Sequence, residues 1–173
     1  MITLSKDITK RRQAEQALWK SRQAIRALHD ISSAQGQSFK DRVEALLQLG
    51  CRIFDLPVGM ETIALGEELE VKRLNAPSTV FYEGMRVPLN KTYCSETLRR
   101  GGPLSFEHAG ASPEWQGHPA YAALKLESYI GTVISGLERT YGTLCFVGVE
   151  PRARDFYRNR ERFHSTHGAL ARW

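Results

Sequence analysis

The sequence predicts an α+β fold, an antiparallel sheet with N- and C-terminal helices on one face and a long irregular helical segment on the other. Three observations carry this. Two amphipathic helical patterns precede any strand. Two hairpins rich in β-branched and aromatic residues are separated by an irregular stretch. A final helical pattern with aromatic residues at seven-residue spacing closes the chain. With 42% hydrophobic and 9% aromatic content, the 173 residues can bury one core and still leave a helical extension.

The first element is a helix over residues 10–33, which hold no proline or glycine and repeat Ala14, Ala17, Leu18, Ser21, Ala24, Ile25, Leu28 and Ile31 at helical steps. Ala14, Ser21 and Leu28 stand seven apart, so a two-helix seam of small residues is expected there. Ala34 to Gln37 break the pattern. Ser38-x-x-Asp41 is a capping signal for a second helix, whose apolar face is Val43, Leu46, Leu47, Gly50 and Phe54 and which ends before Pro57. Residues 60–65 and 69–74 flank Gly66-Glu67-Glu68 as a hairpin. Residues 75–88 are looser.

Thr92 caps a short helix running to Arg100, and Gly101-Gly102-Pro103 stops it before a brief strand over residues 104–106. Ser112-Pro113 is read as the start of another helix, because serine suits the cap and proline the first turn. Residues 129–134, the turn 135–138 and residues 139–149 make the second hairpin. From Asp155 onward Phe156, Phe163 and Leu170 recur every seven residues, with Trp173 in phase. Because the chain stops while that helix is still amphipathic, the natural protein is expected to continue.

Several classes are excluded. No apolar run approaches the roughly 18 residues of a membrane span, and the N-terminus lacks a signal-peptide core, so no membrane insertion is expected and the reading is cytoplasmic. The three cysteines, Cys51, Cys94 and Cys145, have neither CxxC nor Cys/His ligand spacing, which speaks against a disulfide framework and a zinc site. Each reads as a small core residue. The net charge of +5 is spread along the chain, so the basic residues are read as solvated faces, not as a nucleic-acid surface. Among His29, His108, His118, His164 and His167 there is no catalytic constellation, and no phosphate-binding glycine loop is present, so the chain is not read as an enzyme.

Two stretches resemble known signalling families. Asp7-Ile8-Thr9-Lys10-Arg11-Arg12 is similar to the junction that closes a PAS domain and opens the connecting helix in histidine kinases and diguanylate cyclases. His118-Pro119-Ala120-Tyr121, Ser128-Tyr129-Ile130-Gly131-Thr132-Val133-Ile134, Tyr141-Gly142-Thr143-Leu144-Cys145-Phe146 and Pro151-Arg152 resemble a bacterial and archaeal sensor subgroup of GAF domains, as does Thr92-Tyr93-Cys94 ahead of Gly102-Pro103-Leu104. Val133-Ile134 departs from that pattern, where many members have proline before the last apolar residue. The resemblance implies a GAF-like sheet, a PAS-to-GAF linker over residues 1–36 and a GAF domain over residues 37–173.

The resemblance also implies a pocket floored by the sheet and lidded by the irregular segment. Its lining candidates are Cys94, Thr97, Phe106, Trp115, His118, Tyr121 and Tyr129, with plain packing of lid on sheet as the competing reading and, for His118 before Pro119, a helix start. Bilin-binding members attach their tetrapyrrole through a Cys-His pair where this chain has Gln116-Gly117. Cyclic-nucleotide members continue from an Asn-Lys pair such as Asn90-Lys91 to an Asp-Glu that is missing here. Haem would have only His118 or His108 as axial ligand. No cofactor is therefore expected, while an unknown small ligand stays open. The implied function is a sensory or relay module acting on an output domain in cis; the rival is a structural dimerisation spacer with no ligand. Either would be a homodimer through the terminal helices, with Ala14, Leu18, Ser21, Ile25, Leu28, Phe156, Phe163 and Leu170 as interface candidates.

Overall fold

A computed structural model describes residues 3–33, 36–77, 80–135, 140–153 and 155–156. The interface candidates Phe163 and Leu170, Trp173, and the centre of the second hairpin turn lie outside them. The described residues divide after residue 37 into two compact units.

The first unit contains α1, Thr3–Ser33, a continuous helix of 31 residues. Leu18, Trp19, Ile25 and Leu28 on it are all exposed, at 43–63% of their accessible surface. Ser21 is exposed as well. No described helix is long and apolar enough to cross a membrane.

The second unit opens with α2, Phe39–Phe54. The capping signal forms as the sequence predicts: the Asp41 amide donates to Ser38 Oγ and the Ser38 amide to the Asp41 carboxylate at 3.0 Å. These bonds from Ser38 lower the Asp41 pKa. The strands follow as β1 (Val58–Leu65), β2 (Glu68–Asn75), β3 (Arg86–Pro88), β4 (Leu104–Phe106), β5 (Ser128–Ser135) and β6 (Thr140–Gly148). They form one sheet in the order β3-β2-β1-β6-β5-β4, and every pairing is antiparallel.

Strand alternation distributes side chains to two layers. On one face Leu144, Phe146 and Ile130 pack with Val43, Leu47, Cys51 and Phe54 of α2. The Phe146 ring fills the space above Gly59, where a Cβ would lie 2.8 Å from it, and the same ring occupies the place of a side chain at Gly50. Bare backbone at both glycines lets α2 settle onto the sheet. On the other face Val58, Met60, Leu69, Val71, Tyr129, Cys145 and Val147 meet the lid. A bulge between Glu61 and Thr62 in the β1–β2 register brings Leu74 onto this face too. Opposite it, Arg73 pairs with Glu61 at 2.6 Å and covers the Phe39 ring at the start of α2.

The lid comprises a 3-10 turn at Leu89–Lys91 and α3 (Tyr93–Arg100) ahead of the edge strand β4, and a second 3-10 turn at Ala109–Ala111 and α4 (Pro119–Leu124) after it. Thr92 caps α3 through the Ser95 amide, and Gly101 ends it with φ of 66°, a left-handed conformation that glycine adopts without strain. The expected helix start at Ser112-Pro113 is corrected. Residues 113–117 are turn, with the Trp115 and Gln116 amides donating to Ser112 O, and the helix begins one cap later at His118-Pro119.

Candidate functional site

Between lid and sheet lies a buried cluster, and Tyr129 is its centre at 1% exposure. Its ring runs along its own strand over Gly131, where a Cβ would meet the phenol carbon Cζ at 2.7 Å. The hydroxyl thereby reaches Thr97 Oγ1 on α3, at 2.7 Å. Thr97 also donates to Tyr93 O at 3.4 Å. Burial pushes the Tyr129 phenol well above its usual pKa, so it stays protonated.

The floor beneath is polar but self-satisfied. Thr62 and Thr143 are paired across β1 and β6 and share a hydroxyl hydrogen bond of 2.7 Å. Cys145, next along that face of β6, holds its sulfur 3.7 Å from Cys94 on α3. Tyr129 OH lies 3.9 Å from the Cys94 sulfur. Residues at positions 93, 94 and 97 face inward because they lie on one side of α3, so the single helix supplies Tyr93, Cys94 and Thr97 together.

Above the floor the rings form a ladder. Phe106 stacks on Trp115 at 4.6 Å and on Tyr129 at 5.6 Å, each pair 19° from parallel. Tyr93 meets Phe106 edge-on at 4.8 Å and donates its hydroxyl to Leu126 O at 3.0 Å. His118 lies 4.6 Å from Tyr93, and its Nδ1 accepts the Ala120 amide at 3.1 Å as the α4 cap. Burial lowers the His118 pKa, which keeps that nitrogen free to accept.

Six of the seven lining candidates thus meet in one cluster: Cys94, Thr97, Phe106, Trp115, His118 and Tyr129. Tyr121 sits at its rim, half-buried, and turns its hydroxyl to Glu127 at 3.1 Å. Glu127 also accepts the Gly110 amide at 2.9 Å and lies 3.7 Å from His108. The side chains of the cluster pack directly on one another between lid and sheet. Tyr93, Thr62 and Thr143 belong to it although sequence reasoning did not nominate them. Tyr93 follows directly on the Thr92 cap, and the two threonines are lid-facing strand positions whose pairing only the register reveals.

The exit from β6 is strapped to the lid. The Arg152 amide donates to Glu107 O and the Phe156 amide to Glu107 Oε1, each at 2.9 Å. Glu107 directly follows β4. Phe156, which its seven-residue spacing made a candidate for the dimer seam, packs inside this unit, edge-on to Phe54 at 6.2 Å and under the Arg152 guanidinium at 4.1 Å. Beside the strap a half-open cleft of about 610 Å³ is lined by Cys51, Asp55, Ser128, Glu150 and Arg152 among others. Among the described residues no group of three or more His, Cys, Asp or Glu could hold a metal.

No family model matches the chain, and no curated protein does. Solved structures do share its fold. The GAF domain of an Acinetobacter phosphoenolpyruvate-protein phosphotransferase superimposes with a TM-score of 0.61 at 13% identity, over 86% of this chain and 87% of that one. A phycocyanobilin-bound GAF domain from a cyanobacterial phytochrome gives 0.60 at 14% identity, over 77% and 84%. Free methionine-R-sulfoxide reductase from Neisseria meningitidis, in complex with its substrate, gives 0.58 at 15% identity, over 76% and 77%. The likeness is one of fold, and that fold serves both GAF domains and an enzyme.

Proposed function

We propose that this chain is a non-catalytic regulatory module of GAF type, which passes the state of its lid to an output domain in cis. The observation that carries the reading is the double hold of Glu107 on the exit, through its carbonyl to Arg152 and its carboxylate to Phe156. Glu107 is continuous with β4, and β4 carries Phe106 in the ring ladder. A displacement of the lid therefore pulls on the exit strap, and through Phe156 on Phe54 of α2. One neighbour of this fold is bound to phycocyanobilin, so the fold accommodates a small molecule in that protein. Here a ligand would have to displace side chains that already pack together, and it shifts the lid only by its differential affinity for the two packings.

The module acts as a homodimer. The exposed Leu18, Ile25 and Leu28 on α1 supply its seam, and the seven-residue spacing of Phe163 and Leu170 in the sequence favours a second. The Asp7-Ile8-Thr9 junction favours a histidine kinase or diguanylate cyclase as the output. The rival, a dimerisation spacer without ligand, draws support from the direct packing of lid side chains on the sheet.

Amide hydrogen exchange separates the two. In Trp115→Leu the ladder loses its outer ring, and the Arg152 and Phe156 amides are expected to exchange at least about tenfold faster while the β1–β2 hairpin keeps its protection. Unchanged exit amides would leave the spacer reading. Turnover of free methionine sulfoxide with dithiothreitol as reductant would overturn the non-catalytic assignment.

A further inference from the structure

Cys94 and Cys145 belong to different layers, the lid helix α3 and the central strand β6, yet their sulfurs lie 3.7 Å apart. A disulfide needs a separation of about 2.05 Å, so closing the pair takes a side-chain movement of roughly 1.7 Å in total. Both residues are nearly inaccessible, at 5% and 0% exposure. The third thiol cannot compete, because Cys51 lies on α2 beyond the sheet, with Asn75 Nδ2 at 3.2 Å from its sulfur.

The surroundings distinguish the two sulfurs. Contact with the Cys145 thiol, and behind it with the Thr143, Tyr129 and Thr62 hydroxyls, lowers the Cys94 pKa against the opposing cost of burial. The same contact and burial push Cys145 well above its usual value. When the pair loses a proton, the charge is therefore favoured on Cys94 and the remaining proton on Cys145.

We propose that Cys94 and Cys145 are a modification site, an oxidisable pair that hydrogen peroxide converts to a disulfide pinning α3 to β6. The Cys94 thiolate attacks one peroxide oxygen and the O–O bond breaks. Hydroxide leaves and takes up a proton to become water, while Cys94 becomes a sulfenic acid. The Cys145 sulfur then attacks the Cys94 sulfur, the S–O bond breaks, and the departing hydroxide takes the Cys145 proton as a second water. Two electrons have passed from the sulfur pair to one peroxide, and two thiol hydrogens have left in water. A water-sized oxidant suits a buried site that larger hydroperoxides reach poorly. Because α3 also carries Tyr93 and Thr97, the bond fastens the lid in its closed packing, and a dithiol reductant releases it.

The test is peroxide treatment of the full native chain, followed by alkylation in denaturant and mass spectrometry. The expected result is loss of two hydrogens, one alkylatable cysteine in place of three, and a mapped Cys94–Cys145 cross-link that dithiothreitol reverses. Cys51→Ser should leave that cross-link intact. The oxidised protein should melt at least about 5 °C higher, since the bond closes a long loop. Three alkylatable thiols after treatment, oxygen added to separate cysteines, a cross-link through Cys51, or a cross-link formed only in urea would each overturn the proposal.

Discussion

At the scale of single residues, the cluster depends on a few groups that cannot change size or polarity. Thr97→Val removes the close partner of the Tyr129 hydroxyl while keeping the volume, and the buried hydroxyl, an orphan but for the Cys94 sulfur at 3.9 Å, should cost about 1–3 kcal/mol. Adding Tyr129→Phe takes away the orphan, so urea unfolding should find the double variant less destabilised than the sum of the single ones. Additive losses would show that the 2.7 Å contact contributes nothing of its own. Gly142 imposes a stricter limit: a side chain there would run into the Thr62 carbonyl and Ile63 backbone on β1, and backbone yields less than a side-chain tip. Gly142→Ala should therefore lower the urea midpoint more than Gly117→Ala, where nothing lies within 4 Å. The sequence marked Gly142 only as part of a motif. Its physical reason lies in the strand paired with it, which periodicity cannot see.

At the scale of elements, legibility followed the range of the signal. The α2 start was readable because Ser38 and Asp41 satisfy each other within four positions. The α3 boundaries were readable because Thr92 and Gly101 act on adjacent backbone. The start of α4 was readable only as one of two, since Ser112-Pro113 and His118-Pro119 both offer a cap followed by proline and the second is the one that forms. What decides between them is long-range, because Trp115 must enter the stack on Phe106 and a helix from position 113 is not what places it there. The histidine cap has a pH consequence. Burial sets the folded His118 pKa below its ordinary value near 6.5, so the unfolded chain binds more protons in that window and stability rises with pH. The contribution is complete above about pH 6.5 and is lost as the pH falls toward the folded value, where protonated Nδ1 can no longer accept the Ala120 amide. His118→Asn keeps a capping acceptor without a titration. Its melting temperature should fall less than that of the wild type between pH 7.5 and pH 5.5, and equal falls would remove His118 as the cause.

At the scale of the molecule, five of the six described strands were legible, as short runs rich in β-branched and aromatic residues between turn signals. The third strand, Arg86–Pro88, was missed because three residues are too few for a period. It is held by its register to Glu68–Glu70 and by ion pairs from Arg86 to Glu70 and Glu68, contacts that no local pattern announces. The site was half legible: the sequence named the residues that meet beneath the lid, but not that their rings and hydroxyls would complete one another. The division of the chain after residue 37 yields the last expectation. All six strands, α2 and the lid belong to the unit from Ser38 onward, and its apolar faces are covered from within it by α2 and by α3 to α4. The helix α1 instead carries Leu18, Trp19, Ile25 and Leu28 exposed. Deleting residues 1–36 retains the Ser38 cap and should leave urea unfolding cooperative, with a slope reduced only by the surface of one exposed helix. Light scattering should at the same time report weaker self-association, because the α1 seam has gone while the folded unit remains. A broad, non-cooperative transition would place α1 in the core. A truncated chain that unfolds cooperatively and associates as strongly as the whole would move the interface away from α1.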